Sequence, residues 1–418
     1  MKQEERDIQG LWWLPERPDD RWVGTLRLRP EKSPQLQLTI PKSTGHEMPE
    51  APSLVQGRAA NGKPITLLFP SRRETSWSAV LSETTYRAGF AIIGIELASA
   101  DTFTFDTLVL NLQHLHEWVG VSGFQETSPA PDEMMVYYRR PPARKFKVDE
   151  RLSVEIGTSY SAHYGREYRL GEDTYIEFAS SVAMTLERYR ELTGAIRGLL
   201  HFAILQPVYP LAVHCTKTGY GIQLGTDFHD HDIRICSAID RDPVETEIIP
   251  ERWIFRFSDV SGNFGEFLYR WLAFDRKFDE ALGCYSATIY HHLPATLEHL
   301  CLTQALEAYH GIKFASHRQQ DIVTKIRELA GTFRTPLQGL VDDPMAFAET
   351  VRDNRHYYTH HNPKWLEDNR VVSGAKLIRL NEKLKLLFQM CILTELGIQS
   401  DRFSRLRRQL ASRIIEYA

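Results

Sequence analysis

The sequence lacks the features that would mark a secreted, zinc-stapled or membrane-spanning chain. Its five cysteines are odd in number, widely spaced and include no C-x-x-C pair, which argues against a disulfide framework and a structural zinc site. No run of about 18 apolar residues occurs, so no transmembrane helix is expected. The first residues are charged and lack the apolar segment of a secretory signal. We therefore expect a protein of the reducing cytoplasm.

Several motifs of nucleotide and ester chemistry are also missing. The chain has no P-loop, no G-x-G-x-x-G and no G-x-S-x-G element, and no motif calls for a bound cofactor. Its net charge of −4 argues against a protein that coats nucleic acid through bulk charge. Any contact with RNA must therefore be local.

The composition is that of a globular protein with more than one domain. The 418 residues exceed one ordinary domain, and the hydrophobic content of 42% supplies a sizeable core. Up to about residue 180 the chain has short segments that are rich in β-branched and aromatic residues and separated by turn residues. Such segments predict a β sandwich or an open barrel. The predicted strands are 22–28, 35–40, 63–69, 88–97, 102–110, 135–138, 145–148, 152–156 and 174–178.

Helical periodicity dominates the rest of the chain. Residues 180–205 carry an apolar stripe of helical spacing, short strand-like pieces follow, and after Gly262 the pattern is all helical. Asp343-Pro344 is typical of an N-cap followed by proline at the first helical position. A long helix is predicted over residues 375–396. We expect an α+β protein with a β-rich region, residues 1–260, followed by an all-α bundle, residues 261–418.

One segment of the helical region combines residues suited to RNA cleavage. Arg355 and His360 are separated by four residues, an R-x4-H spacing that arises about once by chance in a chain of this composition. Histidine moves protons near neutral pH, and arginine stabilises charge that builds on phosphoryl oxygens. Five helical residues turn through about 140° beyond one full turn, so the two side chains would not share a face. Pro363 disfavours helical geometry just before it, so the helix is predicted to end near His360. A polar face with a histidine at the helix C-terminus is the alternative interpretation.

Residues 351–360 (VRDNRHYYTH) resemble the signature of HEPN domains: an arginine, a polar residue, and a final histidine. Arg355, His356 and His360 occupy these places. The N-terminal half resembles the corresponding domain of ApeA-type proteins, a bacterial anti-phage (abortive infection) family. The similar segments are residues 10–15 (GLWWLP), residues 23–26 (VGTL), Gly57 and residues 65–67 (ITL).

The resemblance implies a function and roles for individual residues. Catalytic HEPN domains are metal-independent endoribonucleases that dimerise around one composite cleft and leave 2′,3′-cyclic phosphate ends. By this resemblance, His360 acts on the ribose 2′-OH or the leaving oxygen, and Arg355 stabilises the transition state. His356 supports the geometry. Arg352, one turn earlier, is a candidate phosphate contact or an ordinary surface residue.

The resemblance also suggests partners. RNA is the implied substrate, with tRNA as one candidate, and the HEPN domain is expected to form a homodimer or a higher homo-oligomer. The β-rich region would be a sensor or regulatory module for which a phage-derived trigger is one candidate ligand. The C-terminal residues Arg402, Arg405 and Arg408 are candidates for RNA binding, because residues 352–418 carry an excess of basic residues. A solvated helix face is the alternative for these arginines.

Three other interpretations remain open. Residues 227–232 (DFHDHD), from Asp227 to Asp232, contain two histidines and three carboxylates, and they could form a metal site for a metal-dependent enzyme. The HEPN region could instead be a non-catalytic scaffold that binds RNA or a nucleotide. Trp12 and Trp13 could stack on nucleobases, although buried core anchors are the more common role of such residues.

Overall fold

Strands dominate the first half of the chain, and helices dominate the second. The computed structural model describes residues 6–29, 32–41, 48–77, 81–163, 165, 169–224, 227–238, 247–317, 319–361, 363–368, 370–398, 403 and 405–410. The chain divides into one unit of Met1–Arg197 and Val208–Glu247 and another of Gly198–Pro207 and Ile248–Ala418. The predicted fold class, a β-rich region followed by a helical region, is confirmed. The finer division at residue 260 stays a prediction.

The β-rich unit is built on one antiparallel sheet. Fourteen of the described strands are hydrogen-bonded in the order β12-β13-β14-β9-β15-β18-β8-β5-β4-β1-β2-β3-β7-β6, while β10 pairs with β11 and β16 with β17. The strands are β1 (Arg6–Leu14), β2 (Arg17–Leu28), β3 (Gln35–Pro41), β4 (Leu54–Ala59), β5 (Pro64–Leu68), β6 (Ser71–Trp77), β7 (Leu81–Arg87), β8 (Phe90–Ile93), β9 (Thr104–Leu112), β10 (Phe124–Ala130), β11 (Glu133–Tyr138), β12 (Arg144–Lys147), β13 (Leu152–His163), β14 (Arg169–Thr185), β15 (Pro210–Thr216), β16 (Gly221–Leu224), β17 (Asp227–Asp230) and β18 (Ile233–Ser237).

The two tryptophans near the start of the chain are core residues of this unit. Trp12 is fully buried and Trp13 nearly so. The register places Trp12 opposite Gly57 of β4, and a Cβ at Gly57 would lie 2.3 Å from the Trp12 ring. Glycine is required at this position because the indole occupies the space of a side chain. The segments that resemble the ApeA type thus meet in one packed core.

Nine helices of the helical unit, α3 to α11, have both ends within the described residues, and residues 405–410 are also helical. Helix α2 contributes its residues from Gly198 onward to this unit. The helices of the chain are α1 (Leu115–Val119), α2 (Leu186–Ile204), α3 (Phe257–Val260), α4 (Phe264–Lys277), α5 (Asp279–Tyr290), α6 (Ala295–Lys313), α7 (Ile322–Thr332), α8 (Arg334–Leu337), α9 (Pro344–His360), α10 (Lys364–Glu367) and α11 (Gly374–Glu395). None of the helices in the described part of the chain has the length and apolar content needed to cross a membrane.

The predicted helix over residues 180–205 is wrong at its start. Strand β14 continues to Thr185, with Ser180 opposite Leu152 of β13 and Met184 opposite Phe105 of β9. Pairing with two neighbouring strands outweighs the helical spacing of the apolar residues, so α2 begins only at Leu186. The predicted long helix over residues 375–396 is confirmed as α11, one residue earlier at both ends.

Candidate active site

Helix α9, which carries the R-x4-H segment, begins as the sequence predicts. The Asp343 carboxylate accepts hydrogen bonds from the backbone N–H groups of Met345 (2.8 Å) and Ala346 (3.3 Å), and Pro344 occupies the first turn. Phe347 and Val351, one turn apart, are buried. This apolar face packs α9 against α6 and α7, which fixes the orientation of the residues on its other faces.

The C-terminal end of α9 also matches the prediction. The helix is regular to His360, and His361 takes a left-handed conformation with φ of 51°. The His361 N–H donates to the Tyr357 carbonyl at 2.6 Å. Pro363 is the N-cap residue of the short helix α10. The His360 side chain is therefore exposed in the last turn of a helix.

Arg355 points from α9 to α6. Its Nη2 atom lies 2.9 Å from Oε2 of Glu307, and 34% of the arginine side chain and 17% of the glutamate side chain are exposed. Arg355 also lines a cleft of about 580 Å³ formed by residues of α5, α6, α7 and α9. The guanidinium is thus held by a carboxylate at the edge of an open space.

A chain of side-chain contacts leads from a buried carboxylate to His360. The His360 and His356 rings, one turn apart, have centroids 5.5 Å apart, and His356 stacks on Trp365 of α10 at 5.3 Å with an interplanar angle of 22°. The Arg370 guanidinium carbon lies 4.5 Å from the Trp365 ring centroid. Arg370 donates to both carboxylate oxygens of Asp353, at 2.9 and 3.1 Å. We call Asp353, Arg370, Trp365 and His356 the stacking network.

Arg352 is held by the same buried carboxylate. Its Nε atom donates to Oδ1 of Asp353 at 2.7 Å, and 8% of the Asp353 side chain is exposed. Arg352 therefore contacts the stacking network at Asp353. Arg355 and His360 make no contact with each other within the described residues, as expected for two side chains about 140° apart on a helix.

A buried histidine of α6 contacts the backbone of α9. The His299 side chain of α6 is fully buried, with Nδ1 3.0 Å from Oδ1 of Asn381 and Nε2 3.3 Å from the Val351 carbonyl oxygen. Burial lowers the pKa of His299; hydrogen bonds to Asn381 and Val351 oppose this, and the nearby Arg355 charge adds to it. These two contacts tie α6 to both α9 and α11.

The C-terminal arginines are placed unequally. Arg405 is half-buried with Nη1 4.0 Å from an Asp259 carboxylate oxygen, and Arg408 is exposed. Arg402 lies outside the described residues. Of the predicted RNA-binding arginines that can be located, Arg408 has the more accessible side chain.

Two side chains of the segment 227–232, those of His231 and Asp232, have other partners. His229 lies on β17, the His231 ring meets Tyr220 edge-on at 5.3 Å, and Oδ1 of Asp232 lies 2.8 Å from Nδ1 of His214. The hydrogen bond from His214 lowers the pKa of Asp232. No group of three or more His, Cys, Asp or Glu side chains that could hold a metal ion occurs in the part of the chain that is described.

Sequence reasoning missed the residues that hold the R-x4-H segment. Trp365 and Arg370 follow it closely, and an aromatic residue just after the helix-ending proline was a usable signal. Glu307 and His299 lie far upstream, and no local pattern links them to α9.

Two family models cover most of the chain. Residues 7–271 match the model described as ApeA N-terminal domain 1, and residues 300–402 match the model described as Apea-like HEPN. The second match includes the whole of α9. HEPN domains are generally ribonucleases that bind RNA and dimerise. No curated protein and no solved structure matches the chain.

Proposed function

Since this chain belongs to the ApeA family of HEPN-domain proteins, we propose that it is a metal-independent endoribonuclease with Arg355 and His360 as catalytic residues. The family match supports an anti-phage HEPN protein. The structural observation that supports the proposal is the position of two side chains on α9. The helix presents Arg355 beside an open cleft and ends with an exposed His360.

The proposed chemistry is an internal transesterification. One imidazole accepts the proton of the ribose 2′-OH, the 2′-oxygen attacks the phosphorus, and the bond from phosphorus to the 5′-oxygen breaks. A second imidazole, as imidazolium, donates a proton to the leaving 5′-oxygen. Arg355 stabilises the extra negative charge on the phosphoryl oxygens. The products are a 2′,3′-cyclic phosphate and a 5′-OH end.

A dimer resolves the separation of the two catalytic residues. Arg355 contacts α6, whereas His360 contacts the stacking network, so one protomer does not present them to the same point. HEPN domains generally dimerise. We propose that two protomers, or a higher homo-oligomer, bring two copies of His360 to one cleft, where they divide the base and acid roles.

Two substitutions test this assignment. We expect Arg355→Ala and His360→Ala each to lower RNA cleavage in EDTA by about 10²-fold or more. Arg334→Ala and His292→Ala, exposed residues of the same unit, are matched controls that should cleave normally. Cleavage that persists in both catalytic variants would exclude this site. Activity lost on adding EDTA would favour a metal-dependent enzyme, and wild-type protein that binds but never cuts RNA would favour the scaffold.

The β-rich region is assigned the sensor role. We propose that it responds to a phage-derived trigger and that the helical region then cuts cytoplasmic RNA, with tRNA as one candidate. Cells that carry the wild-type protein should resist phage, and cells that carry His360→Ala should not. Resistance that survives in the His360→Ala strain would contradict a role for cleavage in defence.

A further inference from the structure

A second cation lines the cleft beside Arg355 and has no part in the mechanism above. Lys325 lies in α7, and its side chain faces the same space of about 580 Å³. The α6 side of this cleft is lined by Ala308 and Gly311, and Ala315 follows just after the helix. These small residues leave room for the sugar-phosphate backbone of an RNA strand to approach both Arg355 and Lys325.

The ammonium of Lys325 has no partner among the described residues and lies at the wall of the cleft. The residue is 9% exposed, and its side chain makes no hydrogen bond or ion pair with any residue that the structure describes. Two nearby carboxylates are engaged elsewhere: Glu307 binds Arg355 at 2.9 Å, and Glu328 binds His310 at 2.8 Å. A third carboxylate, Glu280 of α5, lines the opposite side of the same cleft. An unpaired ammonium at the wall of a cleft is available to bind a phosphate oxygen of a ligand.

We propose that Lys325 binds a backbone phosphate of the RNA substrate, next to the phosphate that Arg355 holds. This inference rests on the proposed function, because the cleft is identified by Arg355. A lysine ammonium suits the role, since it acts as a point charge and does not require the planar geometry of a guanidinium. Lys325 binds the substrate and takes no part in the bond-breaking step.

RNA binding at several salt concentrations tests the inference. All proteins carry His360→Ala, so that RNA stays intact, and the probe is a fluorescein-labelled single-stranded RNA measured by anisotropy. We expect Lys325→Met to reduce the slope of log binding constant against log salt by about 0.7, the value for one lost phosphate contact. Lys325→Arg keeps the charge and should keep the slope. Lys277→Met, an exposed lysine outside the cleft, is the matched control and should match the parent.

Measurements of cleavage and thermal stability separate a binding role of Lys325 from a structural one. In an otherwise wild-type protein, Lys325→Met should raise KM and leave kcat within about twofold, because uniform binding is lost. An unchanged salt slope in Lys325→Met would overturn the inference, even if His360→Ala abolishes cleavage and the proposed function stands. Loss of binding in both the Met and Arg variants, together with a lower Tm, would also overturn it, because Lys325 would then be structural.

Discussion

Removing the Trp365 ring should loosen the end of α9 that carries His360, the proposed catalytic histidine, without altering the cleft beside Arg355. Trp365→Ala deletes the stacking contact with His356 at 5.3 Å, worth about 0.5–1.5 kcal/mol. It also deletes the contact with Arg370 at 4.5 Å, worth about 0.5–1 kcal/mol at an exposed site. These terms do not simply add, so we take about 1–2 kcal/mol as the ordering energy lost around His360. If this loss appears in the transition state, kcat falls about 5–30-fold.

Single-turnover cleavage of a short fluorescent RNA in EDTA measures this effect. KM should change little, because Trp365 does not line the cleft that contains Arg355. Trp365→Phe retains a ring that can stack and should keep kcat within about threefold of the wild type. Wild-type cleavage by Trp365→Ala, combined with no cleavage by His360→Ala, would refute the idea that the stacking network positions the proposed catalytic histidine.

Three further substitutions probe the ion pair, the buried histidine and the β core. Glu307→Gln should tighten RNA binding about 1.4–5-fold by anisotropy, because the phosphate no longer displaces a pair worth about 0.2–1 kcal/mol from Arg355; weaker binding would argue against this competition. Burial lowers the pKa of His299, so the folded state resists its protonation and loses stability as pH falls below about 6.5. In urea unfolding, the free energy of unfolding should fall less between neutral pH and pH 5 for His299→Gln than for the wild type. An equal fall in both proteins would contradict this. Gly57→Ala places a Cβ 2.3 Å from an indole ring and should cost about 1–3 kcal/mol, whereas Gly194→Ala, in open space on a helix, should stabilise by about 0.5–1 kcal/mol; Tm values that do not separate would be inconsistent with the packing described.

Local signals explain which parts of the site were predictable. The start of α9 follows from Asp343 and Pro344, which act within one turn, and its end follows from Pro363. Helix geometry alone gave the separation of Arg355 from His360. Each of these inferences needs only the sequence next to the residue concerned.

The contacts that hold the site depend on tertiary packing. Glu307 contacts Arg355 only because α6 and α9 pack together. Lys325 lines the same cleft only because α7 packs against both of these helices. The predicted start of α2 is wrong for a similar reason: tertiary contacts decide it. Strands distant in sequence pair with residues of the segment 180–185 and hold it in β14. Spacing along one chain segment does not contain this information.

The chemical nature of the RNA ends distinguishes metal-independent cleavage through the ribose 2′-OH from hydrolysis by a metal-bound water. Wild-type protein is incubated with a defined RNA in EDTA, and the products are identified by mass spectrometry. We expect 2′,3′-cyclic phosphate and 5′-OH ends, because in the proposed reaction the ribose 2′-oxygen attacks the phosphorus and no metal-bound water takes part. Products with 3′-OH and 5′-phosphate ends, or cleavage that requires an added metal ion, would contradict it.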